Sequence, residues 1–136
     1  MPNLFVLINH KLTRNQIKDS ANFLRVNKIY EPEEEIKNIW SNISPEGALD
    51  LNNLNLIINW LEISANKNDY VLVQGEFGST FYIVDFCFQH GLIPIYATSK
   101  REYKEIKLED GSVKRIHVFR HVQFRKYMRF EELPNE

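Results

Sequence analysis

The segment "QGEFGST", residues 74–80, carries two glycines where an apolar, strand-like run gives way to a helix-like one. Gly75 and Gly78 permit a tight turn and a close approach of the backbone to a ligand. A helix beginning near Ser79 directs free amide groups and the positive end of its dipole at that turn, which is how helices bind phosphate. The pattern indicates an anion site, and an ordinary strand–helix turn with a cap is the alternative.

The side chains of the turn favour different roles. A carboxylate at Glu76 opposes a phosphate at closest approach unless it points away or acts on a proton, and Phe77 either stacks on a base or folds into the core. No lysine follows the second glycine, so the turn is neither a P-loop nor a dinucleotide fingerprint. The candidate ligand-binding residues here are Gln74, Gly75, Glu76, Phe77, Gly78, Ser79 and Thr80.

A second candidate segment, "ATSKRE", follows another apolar run. Thr98 and Ser99 supply hydroxyls, while Lys100 and Arg101 supply cations that bind phosphate and stabilise charge developing on it. We expect these groups at the mouth of the same crevice. A basic loop that only leads into a hairpin explains the same residues.

Histidine supplies the proton chemistry. His10 follows the first apolar run beside Asn9 and, as a group that titrates near neutral pH, is able to shuttle a proton, although a structural histidine is the alternative. In "FRHVQFRK", alternation places His121 and Arg125 on one face and Arg120 on the other. Zinc-ligand spacing is absent from the sequence, and we predict no metal and no cofactor.

Short apolar runs alternating with helical patterns predict an α/β protein, a Rossmann-like parallel-sheet sandwich with helices on both faces. Thr13 and Gln16 form a capping box that starts the first helix, in which Ile17, Ala21 and Leu24 fall on one face. Asp110-Gly111 within alternating residues predicts a C-terminal antiparallel β-hairpin extension. Ligands of open parallel sheets bind beyond the carboxyl ends of the strands, where the residue 9–10, 74–79 and 98–101 segments are expected.

Composition limits the function classes. A chain of 136 residues predicts one domain, 1–136, and no apolar run has the roughly 18 residues of a membrane span. The single Cys87 lies among apolar residues, which indicates an inert thiol and a cytoplasmic protein. The net charge of -1 excludes a protein that coats long nucleic acid.

Charge is unevenly spread along the chain. Residues 1–98 carry 7 basic and 11 acidic side chains, whereas residues 99–130 carry 10 and 4. A basic C-terminal third favours a small anionic ligand, and a solvated strand face is the alternative.

Five blocks spread over nearly the whole chain carry a resemblance: "LFVLINHKLTRNQIKDSA", "IWSNISPEG", "DYVLVQGEFGSTF", "GLIPIYATSKRE" and "VFRHVQFRKY". Together they resemble small CRISPR-associated accessory proteins of type III systems. The resemblance implies a ring nuclease that binds and cuts cyclic oligoadenylate, the cyclic tetramer being the best guess. It also implies a homodimer with the ring across the two-fold axis, without long nucleic acid or membrane as a partner.

A metal-free mechanism follows as a hypothesis: the ribose 2'-OH attacks the adjacent phosphate while the protein orients it and moves a proton. His10 would transfer the proton, and Lys100 and Arg101 would stabilise charge. Residues expected to orient or cover the ligand are Asn9, Gln74, Thr98, His121 and Arg125. The alternatives are a protein that sequesters the same messenger without cutting it, and an interaction subunit without a nucleotide site.

Overall fold

The computed structural model describes residues 1–131, and residues 132–136 of the predicted domain lie outside the described residues. Its elements are β1 (Leu4–Leu7), α1 (Arg14–Asn22), β2 (Ile29–Tyr30), α2 (Glu34–Ser41), α3 (Leu51–Ser64), β3 (Tyr70–Val73), α4 (Phe77–Gln89), β4 (Ile93–Lys107) and β5 (Val113–Lys126). The predicted α/β class is confirmed. No helix within residues 1–131 is both long and apolar enough to cross a membrane.

The five strands form one sheet in the order β2-β1-β3-β4-β5. The first four run parallel, and β5 runs antiparallel to β4. Strands β1 and β3 are apolar throughout because helices or loops cover both of their faces. From β1 the chain proceeds to β2 on one side and later to β3 on the other, so the strand order reverses between β1 and β3.

Two apolar cores lie on the two faces of the sheet. Helices α2, α3 and α4 cover Phe5, Leu7 and Val73, with Trp40, Ile57 and Cys87 among the buried helix residues of this core. The smaller core contains Leu4, Val6, Leu72 and Ile95 and lies on the face of α1. Helices therefore cover both faces, as predicted.

Helix α1 differs from its prediction in one respect. The capping box of Thr13 and Gln16 is confirmed, with both reciprocal hydrogen bonds present. However, Ile17 is 45% exposed and Ala21 is exposed, so the predicted apolar face is wrong for these two residues, and only its third member, Leu24, packs against the smaller core, beyond the end of the helix. The helix instead buries Gln16 and Ser20, whose hydroxyl donates to the Ile17 carbonyl at 2.7 Å.

Strands β4 and β5 are much longer than the rest of the sheet, at 15 and 14 residues. Only residues 93–95 of β4 pair with β3, while β4 and β5 pair with each other as far as Lys107 and Val113. The predicted turn at Asp110-Gly111 is confirmed, and Gly111 adopts a φ of 86°. The predicted hairpin and the alternating terminal strand are thus one structure, whose part beyond the sheet, residues 98–123, we call the ribbon.

Candidate functional site

The carboxyl ends of β1 and β3 meet the middle of β4 at one edge of the sheet. The Gln74 amide donates to the Leu7 carbonyl at 3.0 Å, and the Gln74 side-chain oxygen accepts from the Ala97 amide at 2.8 Å. Segments 8–10, 74–79 and 98–100 therefore leave the sheet side by side. This edge includes the reversal of strand order between β1 and β3, which is where open parallel sheets bind ligands.

Gly75 has a packing role at this edge. The Trp40 indole donates from Nε1 to the Gln74 carbonyl at 2.9 Å, and a Cβ on Gly75 would lie 2.8 Å from the indole ring. The close approach that requires Gly75 is therefore with Trp40. The sequence identified Trp40 only as an apolar helix residue, because its contact with Gly75 joins segments 35 positions apart.

Gly78 has no comparable neighbour. A Cβ at this position would meet the Glu76 carboxylate at 3.5 Å, an ordinary van der Waals contact. Glycine lowers helix stability, and Gly78 is exposed in the first turn of α4. The contacts of the protein's own chain do not require glycine here, and the space beside its Cα is open to a ligand, while its amide is bonded to Glu76.

Glu76 occupies the backbone amides that were predicted to bind a phosphate. Its carboxylate accepts hydrogen bonds from the Ser79 amide at 2.8 Å, the Gly78 amide at 3.1 Å and the Ser79 hydroxyl at 2.9 Å. These bonds, the Ser79 amide first, hold the pKa of Glu76 below its ordinary value. Glu76 is thus the N-cap of α4, and the helix begins at Phe77 rather than near Ser79. A phosphate must displace this carboxylate or bind beside it.

Two aromatic side chains project from the first turns of α4. Phe77 is 93% exposed and Phe81, one turn later, is 75% exposed. Of the two alternatives for Phe77, folding into the core is wrong, and its ring is free to stack on a base. Thr80 was predicted to contact the ligand. Its hydroxyl is instead buried and has no hydrogen-bond partner in residues 1–131.

His10 lines a cleft of about 260 Å³ together with Lys11, Glu31, Lys37 and Trp40. The exposed imidazole donates from Nδ1 to the Lys11 carbonyl at 2.9 Å. This bond leaves Nε2 as the acceptor of the neutral ring, as a general base requires. The Asn9 side-chain oxygen accepts from the Ser41 hydroxyl at 3.3 Å, which ties the end of β1 to α2.

The predicted basic loop at residues 98–101 is a strand, and this separates its two cations. Because side chains alternate along β4, Lys100 and Arg101 point to opposite faces of the ribbon. Arg101 donates from Nε to His117 Nδ1 at 2.8 Å, and Thr98 donates to the Gln123 carbonyl at 3.2 Å. The expectation that both cations face one crevice is therefore wrong.

His121 is an anchor of the ribbon. Its Nε2 donates to the Asp19 carboxylate of α1 at 2.8 Å, and the side chains are only 6% and 11% exposed. A shift of register between Thr98 and Ser99 leaves Val122 unpaired as a bulge. This bulge puts His121 and Arg125 on opposite faces, so the predicted pair of ligand-covering residues is not formed.

Tyr96 and Tyr127 are site-edge residues that the sequence did not reveal. The Tyr127 hydroxyl donates to the carbonyl of Val73 at the end of β3 at 2.6 Å, and the two tyrosine rings lie 4.8 Å apart. Burial and, second, the neighbouring Tyr96 raise the pKa of Tyr127. The guanidinium of Arg125 lies 5.9 Å from the Tyr96 ring centre. The alternating pattern contained these aromatics but could not place them beside β3.

The structure also shows the surroundings of the single cysteine and of the groups that could bind a metal. Cys87 is fully buried in α4, and burial raises the pKa of its thiol to about 12, as expected for a thiol that serves as a core residue. Within residues 1–131, no three His, Cys, Asp or Glu side chains are grouped so that they could hold a metal ion.

The fold and this edge define an α/β protein with an open, mostly parallel sheet, a cleft at the strand ends and a long antiparallel ribbon beside it. The chain belongs to the family described as "Uncharacterized protein MJ1673 family", whose model matches residues 2–125. It is 44% identical over 127 residues to "Uncharacterized protein MJ1673" of Methanocaldococcus jannaschii, covering 93% of this chain and 98% of that protein. No solved structure matches the chain significantly.

Proposed function

We propose that this protein binds cyclic oligoadenylate, with cyclic tetraadenylate as the best candidate, and cleaves it as a ring nuclease of type III CRISPR signalling. One observation supports this most: the segments carrying His10, Gly78 and Lys100 leave one edge of the sheet, around the reversal of strand order. Strands β1 and β4 are two strand spacings apart, about 10 Å. An elongated ligand with several phosphates fits this edge better than a single phosphate.

The proposed reaction needs only the ligand, the protein and a water molecule. The 2'-oxygen of a ribose bonds to the adjacent phosphorus while the bond to the 5'-oxygen breaks. Nε2 of His10 accepts the proton of the 2'-OH, and the leaving 5'-oxygen takes up a proton from water. Lys100 stabilises the charge on the phosphate. The product is a linear oligoadenylate with a 2',3'-cyclic phosphate at one end and a 5'-hydroxyl at the other.

The proposed function also implies a homodimer that acts in the cytoplasm. Two copies related by a two-fold axis would present two His10 side chains and two ribbons to one ring. The proposed messenger is made and consumed in the cytoplasm, and we place the protein there.

The test is product analysis of labelled cyclic tetraadenylate incubated with purified protein, with and without EDTA. We expect a cyclic-phosphate product, no effect of EDTA, and a loss of about 10²–10⁴ in rate for His10→Ala. His90→Ala is the matched control, since His90 follows the C-terminal end of α4, at the opposite edge of the sheet. Equal rates for the two variants would remove His10 from the chemistry, and slower cleavage with EDTA would overturn the metal-free reaction.

A messenger-binding protein without cleavage activity is the second candidate. The observation that favours it is the Glu76 cap, which occupies the amides of Gly78 and Ser79 that would otherwise stabilise charge on a phosphate. Intact cyclic tetraadenylate recovered from a stoichiometric complex would establish this function in place of the nuclease.

A further inference from the structure

The two faces of the ribbon differ at its base, and the difference follows from the strand register. Ile95 belongs to the core on the face of α1, so alternation directs Tyr96, Thr98 and Lys100 away from α1. Their cross-strand partners are Arg125, Gln123 and Arg120. We call these six residues the open face, and the opposite side of the ribbon the anchored face.

The anchored face is occupied by contacts within the chain. His121 is bonded to Asp19 of α1, and Arg101 is bonded to His117. Phe124 also lies on the anchored face, where its ring packs against the core on the side of α1. A ligand would have to break these contacts to use this side.

The open face carries cations that its own chain leaves largely uncompensated. Lys100 and Arg120 are direct cross-strand partners, an arrangement of like charges that destabilises a sheet. Arg120 lies 3.6 Å from Glu102, and Lys100 has no ion-pair partner within residues 1–131. An anion between the two side chains would relieve their repulsion.

Space for a ligand adjoins the Arg125 end of the open face. An open depression of about 600 Å³ runs along the end of β5, and Tyr96, Gln123, Arg125 and Tyr127 contribute to its lining. The Tyr127 hydroxyl reaches Val73 at the end of β3. Tyr127 thus connects the wall of the depression to the carboxyl end of β3, where the candidate site lies.

We propose that the open face is a phosphodiester-binding surface, in which Lys100 and Arg120 bind one phosphate between them and Arg125 binds the next. This inference rests on the proposed function and deepens it: Arg120, on the neighbouring strand, takes the role that the sequence suggested for Arg101. The ligand class is a short oligoadenylate whose backbone runs from the strand ends onto the ribbon.

The test compares two arginines of the same strand. Arg120→Gln removes a cation from the open face, and Arg115→Gln removes one from the other face. Arg120 lies 3.6 Å from Glu102 and Arg115 lies 3.5 Å from Glu105, so the two changes are closely matched. Dissociation constants are measured for cyclic tetraadenylate and for linear hexaadenylate RNA over a range of salt concentrations.

We expect Arg120→Gln to weaken binding about 10- to 100-fold, the range for a lost charged hydrogen bond. The slope of log affinity against log salt should fall by about 0.7, as for one phosphate contact to a single strand. Arg115→Gln should leave both quantities near those of the unmodified protein. Equal effects of the two variants, or binding of neither ligand, would overturn the assignment. If only the linear RNA binds, with the same dependence on Arg120, the ribbon surface stands and the proposed ring nuclease fails.

Discussion

The body of the protein, residues 1–97, and the ribbon, residues 98–123, are stabilised in different ways. Every residue of β1 and nearly every residue of β3 is buried, whereas the residues of the ribbon are half-buried or exposed, although the His121 side chain at its base is only 6% exposed. A two-stranded hairpin alone is marginally stable in water. The ribbon therefore depends on anchors at its base, His121 with Asp19 and Tyr127 with Val73. A stable body that carries a weakly held basic arm is suited to positioning a ligand first and covering it second.

Deleting one aromatic ring from each region should give the largest contrast. Trp40→Ala removes a ring that is 2% exposed and should lower the free energy of unfolding by about 3–5 kcal/mol. Phe119→Ala removes a ring of the ribbon that is 68% exposed and should change it by less than about 0.5 kcal/mol. Urea unfolding followed by fluorescence and circular dichroism measures both. Similar losses for the two variants would mean that the ribbon is packed more firmly than its exposure indicates.

The two glycines of the turn should respond in opposite directions. Gly75→Ala forces a methyl group against the Trp40 indole and should cost about 1–3 kcal/mol of unfolding free energy. Gly78→Ala has room for its methyl group and should stabilise the protein by up to about 1 kcal/mol, because alanine favours the helix. The same unfolding experiment compares them. If Gly78→Ala also destabilises the protein, Gly78 has a structural role, and the argument for open space beside its Cα fails.

Removing the His121–Asp19 contact, which anchors the ribbon to the body, should destabilise the protein mainly at the base of the ribbon. His121→Ala leaves the Asp19 carboxylate without its partner, and we expect a loss of about 1–3 kcal/mol together with faster hydrogen exchange in residues 118–124. His117→Ala lies farther out on the ribbon and is the control. Unchanged exchange at residues 118–124 in His121→Ala would show that other contacts hold the base of the ribbon.

The smallest effect should come from the Glu76 cap and should depend on pH. The pKa of Glu76 is lowered in the folded protein, so its stabilising contribution is present above its ordinary value of 4.5 and is lost as the pH falls through the folded pKa. Glu76→Gln should thus be less stable than the unmodified protein at pH 7, and the difference should shrink below about pH 4.5. A difference that stays constant from pH 7 to pH 3 would contradict this role of the carboxylate.

The body was largely predictable from sequence because its signals are local. The apolar runs at residues 4–7 and 70–73 and the Thr13–Gln16 capping box all depend on neighbouring residues, as does the Asp110-Gly111 turn of the ribbon. The exception in the body was α1, whose apolar pattern at Ile17 and Ala21 faces solvent because this helix packs through Gln16 and Ser20.

The candidate site was less predictable because its geometry depends on distant contacts and on register. The fit of Trp40 against Gly75 and the His121–Asp19 pair join segments far apart in sequence. The unpaired residue Val122 places His121 and Arg125 on opposite faces of the ribbon. A strictly alternating sequence pattern does not reveal such a bulge. The cap by Glu76 required a choice of side-chain direction that the sequence left open.

The central claim is that the strand ends of the body and the open face of the ribbon form one ligand site. Hydrogen exchange with and without cyclic tetraadenylate tests it most directly, because amides of both regions are followed in one experiment. We predict slower exchange at residues 8–11, 74–80, 98–101 and 119–125 together, with no change in the loop of residues 44–50. Slower exchange in only one of the two regions, or in neither, would contradict the claim.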